Sequence, residues 1–122
     1  MPARQFTFPK SRRLTRSAEF EQVKKNGRAQ HGRLIVLSVL PANGATRFRA
    51  GFVTSRAIGR AVVRNRVRRR LREVVRRHQG ELINGVWIVT IARASAARAS
   101  YQQLEVEWLR LAKRASILAT SC

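Results

Sequence analysis

Apolar and polar residues along the chain fall into patterns typical of strands. Residues 34–40 begin with an unbroken apolar run, and residues 86–91 are apolar on both alternating faces, as expected of a strand inside a sheet. Within residues 46–54, three apolar residues, Phe48, Ala50 and Phe52, alternate with Arg47, Arg49 and Gly51, so one face can be buried while the other presents cations. Turn-forming residues at 41–44 separate the runs 34–40 and 46–54, and they predict that these two runs form a hairpin. Residues 28–33 are a candidate for a further short strand.

Helical spacing and helix-end signals predict three helices. Ser17 can cap a short helix over residues 18–26, which stops at a glycine. Residues 61–79 contain no Gly or Pro and are followed by glycine, so they can form one helix of about five turns. Ser100 and Gln103 form a capping box at the start of a last helix. The apolar stripe of that helix comprises Leu104, Trp108 and Leu111.

These elements predict an α+β fold. Their order is α-β-β-β-α-β-α, which predicts a single-layer mixed β-sheet of about four strands packed with three helices. A chain of 122 residues has the size of one domain, so residues 1–122 are expected to form a single unit. Residues 1–14 combine Pro with cations and have no periodicity, which predicts an extended basic arm. Residues 117–122 are expected to form a flexible tail.

The long helix lies in an arginine-rich segment, residues 60–77, where nine of eighteen residues are Arg. Its apolar residues recur at spacings of four, four and three, so they form one stripe that can pack on a core. The remaining surface is almost wholly cationic, because Glu73 is its only acid. The stripe comprises Val63, Val67, Leu71 and Val74. Asn65, Arg69, Arg72 and Arg76 project opposite it, with Arg64 and Arg68 on one flank and Arg66 and Arg70 on the other.

The charge balance indicates a polyanionic partner. The chain has 26 Lys and Arg residues against 6 acids, a formal net charge of +20. Self-repulsion of this size opposes compaction, and phosphates relieve it while counterion release favours association. Of the cations 22 are Arg and 4 are Lys, which favours bidentate contacts to phosphates and stacking on bases. Genome base composition also enriches Arg, so this preference indicates RNA or DNA less strongly than the net charge does.

The acidic residues do not form a pattern that binds catalytic metal ions. All six are Glu, and nucleases of the two-metal kind need clustered carboxylates. Glu19 and Glu21 are two residues apart, as are Glu105 and Glu107, and this spacing directs helical side chains apart. The single cysteine, Cys122, has no Cys or His at metal-ligand spacing. We therefore predict no catalytic residue and no metal ligand in this chain.

Two other interpretations of the arginine-rich helix stay open on the residues alone. A solvated helix face accounts for a run of charge, but such faces normally include interspersed Glu or Asp. A basic amphipathic helix can lie on an anionic membrane, but the apolar stripe here is rich in Val and lacks the usual Trp and Phe anchors. No window has the character of a signal peptide or a membrane span, which predicts a cytoplasmic protein without a membrane partner.

Residues 51–73 read GFVTSRAIGRAVVRNRVRRRLRE, with the triplet Arg64-Asn65-Arg66 at the centre. This stretch closely resembles the signature region of the bacterial ribonuclease P protein family, and the triplet is its hallmark. Arg13-Leu14, the helix start at Ala18-Glu19-Phe20 and Gly27 also fit that family. The resemblance covers nearly the whole chain. It implies the protein subunit of a ribonucleoprotein endoribonuclease that removes the 5′ leader from precursor tRNA.

The resemblance also implies a division of labour. A catalytic RNA carries out the hydrolysis with Mg²⁺ ions that it mainly holds itself, so the protein alone is not expected to be catalytic. The implied partners are this RNA and precursor tRNA, with no obligate protein partner. The surface implied for binding the catalytic RNA comprises Arg60, Arg64, Asn65, Arg66, Arg68, Arg69 and Arg72.

A second surface implied by the resemblance is a cleft between the first helix and the sheet, which holds the single-stranded leader. Phe20 matches the aromatic residue that stacks on a base, and Arg49 is available to follow the backbone. Lys24 stands where relatives often carry a second aromatic residue, so the cleft here is expected to depend more on charge. On the residues alone, Phe20 also fits a core position of a short helix.

Two rival functions share part of this evidence. A ribosomal or other RNA-structural protein has similar size and charge but does not need the pattern of residues 51–72. A protein-only nuclease would cleave RNA without an RNA subunit, which the lack of clustered carboxylates disfavours.

Overall fold

The computed structural model describes residues 13–14, 16–42 and 47–119. Within these residues it contains three helices and four strands in the order α-β-β-β-α-β-α, which confirms the predicted α+β fold. The helices are α1 (Ser17–Asn26), α2 (Ala61–His78) and α3 (Tyr101–Arg114). The strands are β1 (Arg28–His31), β2 (Ile35–Pro41), β3 (Arg49–Thr54) and β4 (Val86–Ala92). Short 3-10 turns are formed by Arg56–Ile58, Gln79–Glu81 and Ala94–Arg98.

The strands form one mixed sheet in the order β1-β2-β4-β3. β2 is antiparallel to both β1 and β4, whereas β3 and β4 are parallel. The predicted hairpin between residues 34–40 and 46–54 is therefore wrong, because β4 lies between these two strands. β4 is apolar on both faces, so an interior position buries more of its surface than an edge position would. α2 supplies the crossover connection that the parallel pair requires.

Helices cover both faces of the sheet. α2 and α3 share the larger core with one face of β2, β3 and β4, while α1 packs Val23 on the opposite face. The predicted apolar stripe of α2 is confirmed, and it is one residue wider than the spacing indicates. Its buried members are Val67, Leu71, Val74 and the additional Val75, and Val63 packs against the same core.

α1 begins at Ser17, so the prediction that Ser17 caps this helix is wrong. Arg16 is the residue before the helix, and its backbone N–H donates to Glu19 Oε1 at 3.2 Å. The helix dipole favours a carboxylate in the first turn. The Glu19 carboxylate lies there and accepts the hydrogen bond of the Arg16 N–H. The helix stops at Gly27, as predicted.

Both ends of the described chain pack more closely than the sequence predicts. Leu14, which was expected in the basic arm, is buried, and its N–H donates to the carbonyl oxygen of Ala50 at 2.8 Å. Ile117, which was expected in the flexible tail, is buried in the larger core. Its carbonyl oxygen accepts from the N–H of Ile83 at 2.9 Å. The rest of the predicted arm and tail, residues 1–12 and 120–122, lies outside the described residues.

Glu107 is the one acid that is buried among the described residues. Its Oε2 accepts hydrogen bonds from the backbone N–H groups of Leu34 and Ile35, at 2.6 and 3.0 Å. Its Oε1 accepts from Arg110 Nη2 at 3.3 Å. This carboxylate joins α3 to the turn between β1 and β2, and the close approach requires Gly32, because a Cβ there would overlap Glu107 Oε2.

His78 joins the end of α2 to α3. Its Nδ1 lies 2.7 Å from Glu81 Oε2, and its Nε2 lies 2.8 Å from Glu105 Oε2. Burial lowers the pKa of His78, but the hydrogen bonds and charges of the two carboxylates outweigh burial, so the pKa is raised above its ordinary value of 6.5. The protonated imidazole thus stabilises the packing of α2 against α3.

Replacing His78 by Gln is expected to destabilise the protein in a pH-dependent way. A group whose pKa is raised by folding contributes its full stabilisation below its unfolded pKa and loses it as the pH rises through the folded pKa. The difference in free energy of unfolding between the protein and His78→Gln should be largest below about pH 6.5 and shrink above it. Urea unfolding at several pH values measures this difference, with the exposed His31→Gln as the matched control. A difference that stays constant with pH would contradict the role of the imidazolium.

Candidate RNA-binding surfaces

The side of α2 away from the core presents cations and an amide to solvent. We call Arg60, Asn65, Arg66 and Arg69, all exposed, the exposed face of α2. Asn65 Oδ1 accepts from Arg68 Nη1 at 2.9 Å. Because the opposite side of the helix is fixed in the core, these groups are held at regular spacing, which suits contacts to the repeating phosphates of a nucleic acid.

The start of α2 adds positive potential to this face. Gly59 has φ 141°, a conformation that side chains other than glycine rarely adopt, and it turns the chain into the helix. None of the described side chains caps the helix start, and its first turn contains no acid. The first N–H groups and the helix dipole therefore favour an anion here, as the neighbouring arginines do.

Arg68 and Arg72 are half-buried between α2 and β3. Arg68 Nη2 donates to Thr54 Oγ1 at 2.5 Å. Arg72 lines a hollow with Arg13 and Phe20. Burial and the charges of Arg13 and Arg68 lower the pKa of Arg72. Arg72 also lines a hollow with Asn65, Arg68 and Arg69, so it shares a side of α2 with the residues predicted to lie opposite the apolar stripe. It is half-buried there, because α2 packs along β3 and this side of the helix borders a cleft.

Other arginines of α2 bind protein groups. Arg76, which was also expected to project outward, pairs with Glu73 one turn away. On the flank towards α3, Arg66 and Arg70 donate to backbone carbonyl oxygens of the segment before α3, at 3.3 and 2.6 Å. Arg64 is half-buried, with its Nε away from solvent. The helix therefore offers fewer fully solvated cations than its composition indicates.

A cleft lies between α1 and β3, and Phe20 stands in it. Phe20 is half-buried and lines two adjoining hollows of about 210 and 360 Å³. The ring rests against β3 at Gly51, where a Cβ would lie 2.5 Å from two ring carbons. Phe20 thus contributes to the packing of α1 while part of its surface stays accessible in the cleft.

Two of the four cations beside Phe20 come from α2. Arg13, Arg68 and Arg72 line the smaller hollow. Lys24 is exposed and lines the larger one, as its predicted place in the cleft requires. We call Phe20 and these four cations the Phe20 cleft. Arg68 and Arg72, which the resemblance assigns to the surface for the catalytic RNA, therefore lie beside the residue that it assigns to the leader.

Arg49 has a more internal environment than the other predicted cleft residues. It is half-buried, and its Nη1 donates to Glu19 Oε2 at 2.7 Å. Its Nη2 donates to the carbonyl oxygen of Arg13 at 2.9 Å, and its guanidinium lies 5.7 Å from the centroid of the Trp87 ring. These contacts connect α1 and the segment before it to β3 and β4, next to the cleft.

Arg13 and Gly51 belong to the cleft but were not among the predicted site residues. A glycine within a strand pattern is a known signal of close approach, and Gly51 lies within the alternation of residues 46–54. Arg13 has no comparable local signal. Its place depends on the bridge between residues 13 and 50, which adds this segment beside β3.

Both surfaces consist of guanidinium, ammonium, amide and aromatic groups, which bind phosphates and bases. Within the described ranges, no three His, Cys, Asp or Glu side chains are arranged to hold a metal ion. The helices of this part of the chain include none that is long and apolar enough to cross a membrane.

Comparison with known proteins decides the family. A family model described as Ribonuclease P matches residues 8–116. The chain belongs to the ribonuclease P protein family. Among its relatives, the ribonuclease P protein component of Desulfovibrio desulfuricans is 40% identical, over 91% of this chain and 88% of the relative. That of Syntrophomonas wolfei is 34% identical, over 90% of this chain and 92% of the relative.

Solved structures of ribonuclease P proteins have the same fold. The protein from Staphylococcus aureus superimposes with a TM-score of 0.83 at 27% identity, covering 89% of this chain and 99% of that one. The protein from Thermotoga maritima gives 0.76 at 29%, covering 84% and 96%. The resemblance seen in residues 51–73 is thereby confirmed. This chain is a protein subunit of the ribonucleoprotein endoribonuclease that matures tRNA 5′ ends, and an RNA is its partner.

Proposed function

We propose that this ribonuclease P protein binds two RNAs through neighbouring surfaces. The exposed face of α2 binds the catalytic RNA, and the Phe20 cleft holds the single-stranded 5′ leader of precursor tRNA. The observation that carries the proposal is the position of α2, whose Asn65 and Arg69 are exposed while Arg68 and Arg72 line the cleft beside Phe20. One helix therefore contributes cations to both surfaces.

In this proposal the RNA carries the chemistry and the protein supplies binding. Mg²⁺ ions held mainly by the catalytic RNA promote hydrolysis of the phosphodiester bond. The guanidinium groups of α2 neutralise phosphates where the RNA strands approach one another. Mature tRNA has no leader, so the contacts in the cleft favour the precursor over the product. We place this ribonucleoprotein in the cytoplasm.

The Phe20 cleft has the chemistry of a site for single-stranded RNA. Such sites combine an aromatic platform for a base with cations that follow the backbone. Phe20 is held against Gly51, so its ring has little freedom to lose on stacking. Arg68 and Arg72 line one of the two hollows that Phe20 borders and Lys24 lines the other, where phosphates that flank a stacked base can reach them.

Replacing Phe20 by Ala is expected to weaken binding of precursor tRNA by about 1–3 kcal/mol, the scale of one stacked base. Binding of mature tRNA should stay nearly unchanged, because the product has no leader. The measurement is the dissociation constant of each tRNA for the reconstituted holoenzyme. Phe20→Leu is the matched control, since it retains apolar packing against Gly51 but cannot stack. If precursor and product lose equal affinity, Phe20 does not contact the leader.

A further inference from the structure

A second arginine-lined surface lies on the side of α2 that faces α3. We propose that this surface, the arginine groove of Arg33, Arg98 and Arg110 bordered by Arg66 and Arg70, binds the phosphate backbone of RNA as a third contact site. The proposal rests on the proposed function, because the RNA belongs to the same complex. It extends that function to a region outside the Phe20 cleft that shares Arg66 alone with the exposed face of α2.

The groove has two parts that share lining residues. A part of about 690 Å³ is lined by Arg33, Arg98 and Arg110, and a part of about 480 Å³ is lined by Arg66, Arg70 and Arg98. Arg98, together with Ser100 and Gln103, lines both parts. The groove therefore runs from α2, across the start of α3, to the turn between β1 and β2.

Hydrogen bonds hold both walls of the groove in place. On one side, Arg66 and Arg70 donate to backbone carbonyl oxygens next to Arg98. On the other side, Ser95 Oγ donates to the carbonyl oxygen of Arg33 at 2.7 Å. The N–H of Arg93 donates to the carbonyl oxygen of Leu34 at 2.8 Å. A surface that is already ordered loses little conformational entropy when it binds a partner.

The charge of the groove is positive and accessible. Arg33, Arg98 and Arg110 are exposed. Among the described residues, no acid forms an ion pair with Arg33 or Arg98. Glu107 is the acid of the lining, and its buried carboxylate is occupied by backbone N–H groups and Arg110. Five guanidinium groups along one open groove suit a chain of phosphates better than a single small anion.

Directed hydroxyl-radical cleavage identifies the RNA that occupies the groove. An iron chelate is attached to Gln102→Cys, an exposed lining position, in a Cys122→Ser background and within the reconstituted holoenzyme with precursor tRNA. Cuts in the catalytic RNA or in the precursor support the proposal and distinguish the two sources of phosphate. A second probe at Val62→Cys, which is 74% exposed at the start of α2, reports on the surface of the proposed function. Cuts from Val62 without cuts from Gln102 would overturn the groove alone, and no cuts from either would overturn both proposals.

Charge removal tests whether the groove contributes to affinity. The double variant Arg33→Gln, Arg98→Gln is expected to bind RNA about tenfold more weakly than the unchanged protein. The slope of log affinity against log salt concentration should flatten by roughly two units. The control is Lys113→Gln combined with Arg114→Gln, which removes the same charge from exposed positions outside the groove. All four residues are exposed and lie outside the core, so both double variants should unfold at the same urea concentration as the unchanged protein. Equal salt slopes for the two pairs would overturn the proposal.

Discussion

Replacing Arg64, Arg66 and Arg69 together by Ala is expected to weaken binding of the catalytic RNA by about 3 kcal/mol, or roughly 100-fold in Kd. Arg66 and Arg69 are exposed on α2, and Arg64 lies half-buried one turn from its start. Each phosphate contact that is lost also reduces counterion release, so the log-log salt slope should flatten by roughly three units. Filter binding at several salt concentrations measures both quantities.

A matched variant separates the α2 surface from net charge. Lys25, Lys113 and Arg114 are exposed, and their replacement by Ala removes the same three charges from positions outside the described RNA surfaces. We expect this variant to change the affinity by less than about 1 kcal/mol, as surface substitutions away from a binding site usually do. Equal losses from the two triple variants would show that binding depends on total charge and not on α2.

Replacing Glu107 by Ala is expected to destabilise the fold by about 3 kcal/mol. The change leaves the N–H groups of Leu34 and Ile35 without their acceptor, and each buried donor that loses its partner costs about 1–3 kcal/mol. This loss is a large fraction of the roughly 5–15 kcal/mol that stabilises a typical domain. Urea unfolding followed by circular dichroism measures the change in free energy of unfolding.

Two controls accompany the Glu107 variant. Glu107→Gln retains one acceptor oxygen at nearly the same volume, so it should lose less stability than Glu107→Ala. Glu21 is an exposed acid, and Glu21→Ala makes the same change in charge without removing a buried contact. A loss from Glu107→Ala no larger than that from Glu21→Ala would contradict the role of Glu107 in holding the turn between β1 and β2.

The order of the elements was predictable because each element has its own local signal. The spacing of Val67, Leu71 and Val74 identifies one side of α2, and Ser100 with Gln103 identifies the start of α3. The strand order was not predictable from the same signals. Pairing is decided by which strand gains most from an interior position, and β4 takes that position between β2 and β3 although residues 41–44 favour a hairpin.

The candidate site was likewise predictable only in part. Helical periodicity correctly places Asn65 and Arg69 on the exposed side of α2, since only the helix and its own core stripe are involved. The surroundings of Arg72 depend on how α2 packs against β3, and those of Arg49 depend on Glu19, 30 residues away in sequence. Glu107 accepts hydrogen bonds from backbone N–H groups 72 and 73 residues away. Contacts of this range have no local pattern, so they follow only from the assembled fold.

The central claim is that this ribonuclease P protein binds RNA while the catalytic RNA performs the hydrolysis. The most direct measurement compares the cleavage of precursor tRNA at low Mg²⁺ by the RNA-free protein, by the catalytic RNA alone and by the two together. We expect no cleavage by the protein, slow cleavage by the RNA and rapid cleavage by the reconstituted complex. Cleavage by the RNA-free protein, or no gain when the protein is added to the RNA, would contradict the claim.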